Sequence, residues 1–105
     1  MIILAGDIVK GDGTGSISIY GPEFDDENFL LKHLDAGWVS MANNGPNTNG
    51  CQFFMLLDEA DFLDGEHVVF GKVIFGKEVL EALAKQPLTV DPDYQETDLT
   101  IAQKL

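Results

Sequence analysis

Gly37-Trp38-Val39-Ser40-Met41-Ala42-Asn43-Asn44-Gly45-Pro46-Asn47-Thr48-Asn49-Gly50-Cys51-Gln52-Phe53-Phe54-Met55-Leu56-Leu57 reads as strand, loop, strand. Residues 38–42 form a short apolar run after a glycine. The next stretch is built from Asn, Gly, Pro and Thr, whose side chains and backbones favour turns. Residues 53–57 are then apolar without interruption between Gly50 and Asp58, the pattern of a strand buried on both faces.

Further out, residues 68–73 predict another strand after the turn at Asp64-Gly65. Upstream, residues 1–9 are mostly apolar and β-branched, a strand that runs into the flexible loop Gly11-Asp12-Gly13-Thr14-Gly15. Residues 16–20 alternate polar and apolar, an extended pattern that Gly21-Pro22 breaks. Residues 25–29 predict one helical turn. Over residues 75–85, Phe75, Val79, Ala82 and Leu83 recur at helical spacing until Pro87 stops them, and residues 100–103 predict a last strand. No parallel βαβ pattern emerges, so the expectation is an antiparallel, mainly β protein with one clear helix. Without a repeat, low-complexity tract or linker, residues 1–105 read as one domain.

The chain has 18 acidic against six basic residues and a formal net charge of -12, which argues against nucleic acid and anionic membranes as partners. Its acidic runs read as solvated surface that favours solubility. Cys51 is the single cysteine, so no internal disulfide is possible, and its setting before Gln52 reads as core. Met1-Ile2-Ile3-Leu4-Ala5 is too short for a membrane span and lacks the basic lead-in of a signal peptide. Localisation is therefore open, and cytoplasmic as the sequence stands.

Several motifs fail. Gly11-x-Gly13-x-x-Ser16 lacks a final glycine and precedes an alternating segment rather than a helix that could hold phosphate. The acids around Asp58, Glu59, Asp61 and Asp64 lack the alternation of a calcium loop, and His33 and His67 are too widely spaced for a zinc motif. No nucleophile elbow is present. No cofactor or metal is expected.

One set of residues does carry a signal. Residues 41–54 together with Phe62-Leu63-Asp64-Gly65-Glu66-His67-Val68-Val69-Phe70-Gly71-Lys72-Val73, the 11–15 loop, Ser18-Ile19-Tyr20-Gly21 and Asp26-Glu27-Asn28-Phe29 resemble the cyclophilin signature in order and spacing, from Gly6 to about Gly76. The resemblance implies a peptidyl-prolyl cis-trans isomerase on a closed antiparallel β-barrel, of which this chain carries the C-terminal two-thirds, so that the barrel is expected to be incomplete. It implies that Phe54, Leu63 and His67 line a proline pocket with Phe62 at its edge. Gly13, Ala42, Asn43 and Gln52 would border the peptide groove, Asn43 through its backbone and Gln52 through its side chain. The implied partners are proline-containing peptides and unfolded proteins, with cyclosporin binding weakened because Phe62 stands where many members carry tryptophan.

The residues suit that chemistry on their own terms. Isomerising an X-Pro bond makes no covalent intermediate, so an apolar pocket and a few hydrogen bonds to the flanking peptide suffice to favour the twisted imide. Phe54, Leu63 and Met41 can supply apolar walls, and His67 a rim that is both apolar and hydrogen bonding. Phe54, Met41 and Leu63 are equally ordinary core residues, and an isolated His67 beside a turn is commonly surface or cap. Gln52 in an apolar strand demands partners for its amide. Trp38, His33 and Phe29 match no family site and are assigned to packing or surface.

The departures from the family also matter. Its catalytic arginine and an upstream pocket phenylalanine belong to a segment that would precede Met1, so no catalytic residue is assigned. Leu4 takes the place of a groove glutamine, and Asn44 replaces a small residue at the groove margin. Three readings follow: an isomerase, a proline-peptide-binding module or truncated isoform with little turnover, and an interaction fragment that self-associates through open sheet edges.

Overall fold

The apolar run at residues 53–57 does become the inner strand of a sheet. The computed structural model describes residues 2–85, with strands β1 (Ile2–Ala5), β2 (Trp38–Met41), β3 (Phe53–Leu56) and β4 (Val69–Lys72), a 3-10 turn at Asp61–Leu63 and helix α1 (Lys77–Ala84). The strand order is β1-β3-β2-β4 and every neighbouring pair is antiparallel. Among the described residues β1 and β4 are the edges, and the sheet is not closed. The expected strand at residues 100–103 and the stop at Pro87 lie outside the described residues.

The register sorts the side chains into two faces. Leu4 and Ser40 both stand opposite Phe54, and Val69 stands opposite Ser40, so these four share one face. On it, buried Phe54, Leu56 and Ala60 gather Ile2, Leu4, Trp38, Ala42 and Leu63. The other face carries Ile3 with Met55, and helix α1 lays Leu80 and Leu83 over them.

β3 departs from the expectation of burial on both faces. Phe54 and Leu56 are fully buried, whereas Phe53 and Met55 are only half-buried. A two-turn helix cannot cover the whole of its side of the sheet, so an alternating pattern results.

Helix α1 is also turned relative to its sequence pattern. The inward residues are Leu80 and Leu83, while Val79 and Ala82 face solvent and Phe75 lies outside the helix, 93% exposed. Gly76, at φ 90°, bends the chain into the helix and leaves Phe75 out of it.

Three other expectations fail locally. Residues 16–20 hold only a single bridge, Ser18 to Gly21, because the Ser18 hydroxyl donates to the Gly21 carbonyl and accepts from the Tyr20 N–H, folding the segment back on itself. Residues 25–29 form no helical turn. There the Asp26 N–H and carboxylate are taken up by Asn47, and Phe24 bridges to Asn49. The first strand ends at Ala5 rather than Val9, since Gly6 turns at φ 100° and Asp7 gathers the following backbone.

Candidate functional site

The loop after β1 is organised by one carboxylate. Asp7, 5% exposed, accepts the backbone N–H groups of Val9 and Lys10 on Oδ1 and of Asp12, Gly13 and Gly15 on Oδ2, all within 2.9–3.2 Å. Five donors converging on one anion favour its charged form. The Lys10 N–H foremost, then those of Gly15, Val9 and Gly13, hold the carboxyl well below the usual carboxylate range against the opposing effect of burial. Asp12 is likewise lowered, chiefly by the Thr14 hydroxyl.

There is no room for a side chain inside this wrap. A Cβ at Gly15 would run into Asp7 Oδ1 and come within 2.8 Å of Val9 Cβ, whereas at Gly71 it would meet only Val39 Cβ at 3.7 Å. Gly15→Ala is expected to destabilise by about 1–3 kcal/mol, and Gly71→Ala to stay within about 0.5 kcal/mol, as read by urea unfolding of each.

Gln52 fastens the loop to the sheet. Its Nε2 donates to the carbonyls of Gly13 at 3.0 Å and Gly15 at 2.8 Å, which satisfies the amide that the sequence left in need of partners. With both hydrogens committed, Oε1 is the atom that can receive a peptide N–H. Gln52, Leu4, Gly13, Ala42, Asn43 and Asn44 line one cavity of about 380 Å³. Of the expected groove residues, none is missing from it.

The 43–50 loop forms the opposite bank. Thr48 Oγ1 accepts the Asn44 N–H and donates to the Gly45 carbonyl, and Asn47 sits at φ 58°, a left-handed conformation that asparagine tolerates. Asp26 and Asn47 each take the other's backbone N–H at 3.0 Å. Asn49, 1% exposed, directs its Nδ2 to the Phe24 carbonyl and to Asp26 Oδ1. The Asn43 side chain is spent internally, donating to the Glu66 carbonyl and accepting the Gly45 N–H, which leaves its main chain to meet a ligand.

Asn43 also lines a second cavity of about 590 Å³, together with Phe29, Pro46, Glu66 and His67. The His67 ring stands edge-on to Phe54, with centroids 5.4 Å apart, and its Nδ1 donates to the Met41 carbonyl at 2.9 Å, leaving Nε2 without that bond. Phe54 itself is only 2% exposed and Leu63 packs on its cluster. Phe54, Leu63 and the His67 ring therefore form one apolar group, whereas Met41, expected as a further apolar wall, stands opposite Phe53 in the register on the other face of the sheet and meets His67 through its carbonyl. Phe62, next to Leu63 on the 3-10 turn, is 74% exposed, and among the described residues no ring pairs with it.

Two features escaped the sequence reading. Asp7 had a faint signal, an acid placed just before a glycine-rich stretch. His33 had none, because its partners come from distant segments. Its ring is 1% exposed, stacks on Phe54 with centroids 6.0 Å apart, and bonds Asp64 and Ser40.

The family model for "Cyclophilin type peptidyl-prolyl cis-trans isomerase/CLD" matches residues 1–103. The chain belongs to the cyclophilin family. Among curated proteins it is 60% identical over 82 residues to "Peptidyl-prolyl cis-trans isomerase H" of Mycosarcoma maydis, covering 78% of this chain and 53% of that protein. It is 59% identical over 76 residues to the protein of the same name from Rhizopus delemar, covering 71% of this chain and 43% of that protein. The chain thus spans about half the length of the curated relatives it matches. The open four-stranded antiparallel sheet with one helix accords with a cyclophilin-like fold. No described helix is long and apolar enough to cross a membrane. Among the described residues no group of three or more His, Cys, Asp or Glu is arranged to hold a metal ion.

Proposed function

We propose that the chain carries the proline-binding face of a peptidyl-prolyl cis-trans isomerase that acts on X-Pro bonds in peptides and unfolded proteins. The observation that supports this most directly is that Asn43 belongs to both cavities. A peptide lying against Ala42, Asn43 and Gln52 is thereby led towards His67, whose ring stands against Phe54 in the cluster on which Leu63 packs. The reaction is rotation about a C–N bond with no covalent bond made or broken, so the site's work is to hold the proline ring, anchor the flanking amides and favour the twisted imide. Gln52 Oε1 and the Asn43 main chain supply the anchors, and His67 closes the rim.

A second reading is favoured by one fact: the six basic residues of the sequence are all lysine, so the arginine to which the family resemblance assigns stabilisation of the twisted imide is not supplied by these residues. A proline-peptide-binding module with little turnover fits that composition. Cyclosporin would occupy the same groove, more weakly for want of an indole donor at Phe62. Self-association through the edges β1 and β4 is a further consequence of the open sheet.

The test is an NMR titration of the labelled chain with an Ala-Pro tetrapeptide. Amide shifts should concentrate at Asn43, Gln52 and His67, and Gln52→Ala should weaken binding about fivefold to tenfold, the usual worth of one hydrogen bond. Shifts confined to helix α1 would remove the assignment.

A further inference from the structure

We propose that His33 is a positioning residue for the proline pocket: it ties the strand bearing Ser40 to the turn bearing Leu63 and Asp64 and holds Phe54 between them. The inference rests on the proline-binding reading above and deepens it.

The geometry is unusually complete for a residue that is 1% exposed. The His33 backbone N–H and ring Nδ1 both reach Asp64 Oδ1 at 2.7 Å, and ring Nε2 lies 2.9 Å from Ser40 Oγ. The His33 carbonyl accepts the Ala60 N–H at 3.2 Å. The ring plane is 13° from that of Phe54, whose other partner is His67, at 78°. His33 therefore contacts β2, β3 and the 60–64 turn at once, and these three segments carry Met41, Phe54 and Leu63.

Direction in the hydrogen bonds follows from Asp64. Its carboxylate is held ionised, first by the His33 backbone N–H and next by the His33 ring, and can only accept. Nδ1 then carries the hydrogen, and the arrangement that also gives the fully buried Ser40 hydroxyl hydrogen an acceptor is the one in which Nε2 accepts it. A polar chain running Ser40, His33, Asp64 has one arrangement with every buried group satisfied, and any displacement of the ring leaves Ser40 without a partner at 0% exposure. Since Ser40 stands opposite Phe54 in the sheet, that constraint passes directly to the pocket wall.

A filler of the core would do its work through shape alone, so the two roles separate in a variant that keeps shape. In His33→Phe combined with Ser40→Ala, the stacked ring is retained and no orphaned hydroxyl remains. Positioning predicts that, in the full chain, the Phe54 and Leu63 side-chain resonances shift or broaden before any ligand is added, and that affinity for an Ala-Pro peptide falls on the order of tenfold. Unchanged resonances and affinity would overturn it. Should this double variant not fold, Asp64 gives the answer. Asp64→Asn, which keeps an oxygen for both His33 hydrogens, should retain the Phe54 and Leu63 resonances, whereas Asp64→Ala should move them, and identical spectra from the two would overturn the proposal. The wild-type chain should also show a slowly exchanging Nδ1 proton on His33. Absence of peptide binding by the wild type would refute the functional reading alone, because the resonances of the free protein report on positioning without a ligand.

Discussion

A polypeptide of these 105 residues should interconvert the cis and trans forms of an Ala-Pro peptide about a hundredfold to a thousandfold more slowly than the same polypeptide extended by a segment carrying the family's arginine. The reason lies in what the groove can distinguish. On the proposed reading Asn43 and Gln52 would meet amides that flank the proline, and those amides are planar in every state of the reaction. Phe54 and Leu63 would meet the ring, which also changes little. Contacts of that kind lower the free energy of cis, trans and twisted forms together, which tightens binding without raising turnover. A cation aimed at the imide nitrogen acts on the twisted form, where the nitrogen regains its lone pair. Exchange spectroscopy on both polypeptides at equal saturation gives the comparison. Equal rates would show that the residues from Met1 onward suffice, and the division of roles drawn here would be wrong.

Asp7→Asn should be the most damaging single substitution outside the pocket. An asparagine offers one carbonyl oxygen where five N–H groups now share two carboxylate oxygens, and it places its own N–H₂ among donors. The 9–15 loop would open, and Gln52 would lose the fixed carbonyls of Gly13 and Gly15. At neutral pH the expected drop in melting temperature is on the order of 10 °C or more. The pH dependence identifies the cause. Because folding lowers the pKa of Asp7, its contribution is complete above the unfolded value of about 4 and is lost as pH falls below it. Melting curves of wild type and variant should therefore stand furthest apart near pH 7 and draw together below about pH 3. A constant separation at all pH values would mean that the charge is irrelevant and only shape was lost.

The strands were legible where a short apolar run met turn chemistry at both ends. Residues 38–42, 53–57 and 68–73 correspond to Trp38–Met41, Phe53–Leu56 and Val69–Lys72. The helix was legible in place, but its inward face was read correctly only at Leu83, because Phe75 and Val79 offered an apolar spacing as good as that of Leu80. Local alternation misled at residues 16–20, where a serine hydroxyl competes for the backbone. That Gly13, Ala42, Asn43 and Gln52 would stand together was suggested by the resemblance to a family, and they line one cavity, while Gln52 was also marked by the plain cost of an unpaired amide. What stayed hidden was any role defined by partners far along the chain. Asp26 and Asn47 are 21 residues apart, and His33 and Asp64 are 31 apart, so no window of sequence contains both halves of either arrangement.

The chain contains two Asn-Gly pairs, Asn44-Gly45 and Asn49-Gly50, and the structure gives them different futures. Spontaneous deamidation starts when the nitrogen of the following residue attacks the side-chain amide carbon, and glycine permits that approach best because it has no Cβ. At Asn49 the amide is buried and pinned by Phe24 and Asp26, so the attack geometry is out of reach. At Asn44 the side chain is exposed on the loop. Between these two pairs, chemical ageing is thereby steered to the lining of the cavity of about 380 Å³, where each event places a new carboxylate and, through the isoaspartyl route, an extra backbone atom into the loop. Of the two pairs it is the cavity-lining Asn44 that should age first.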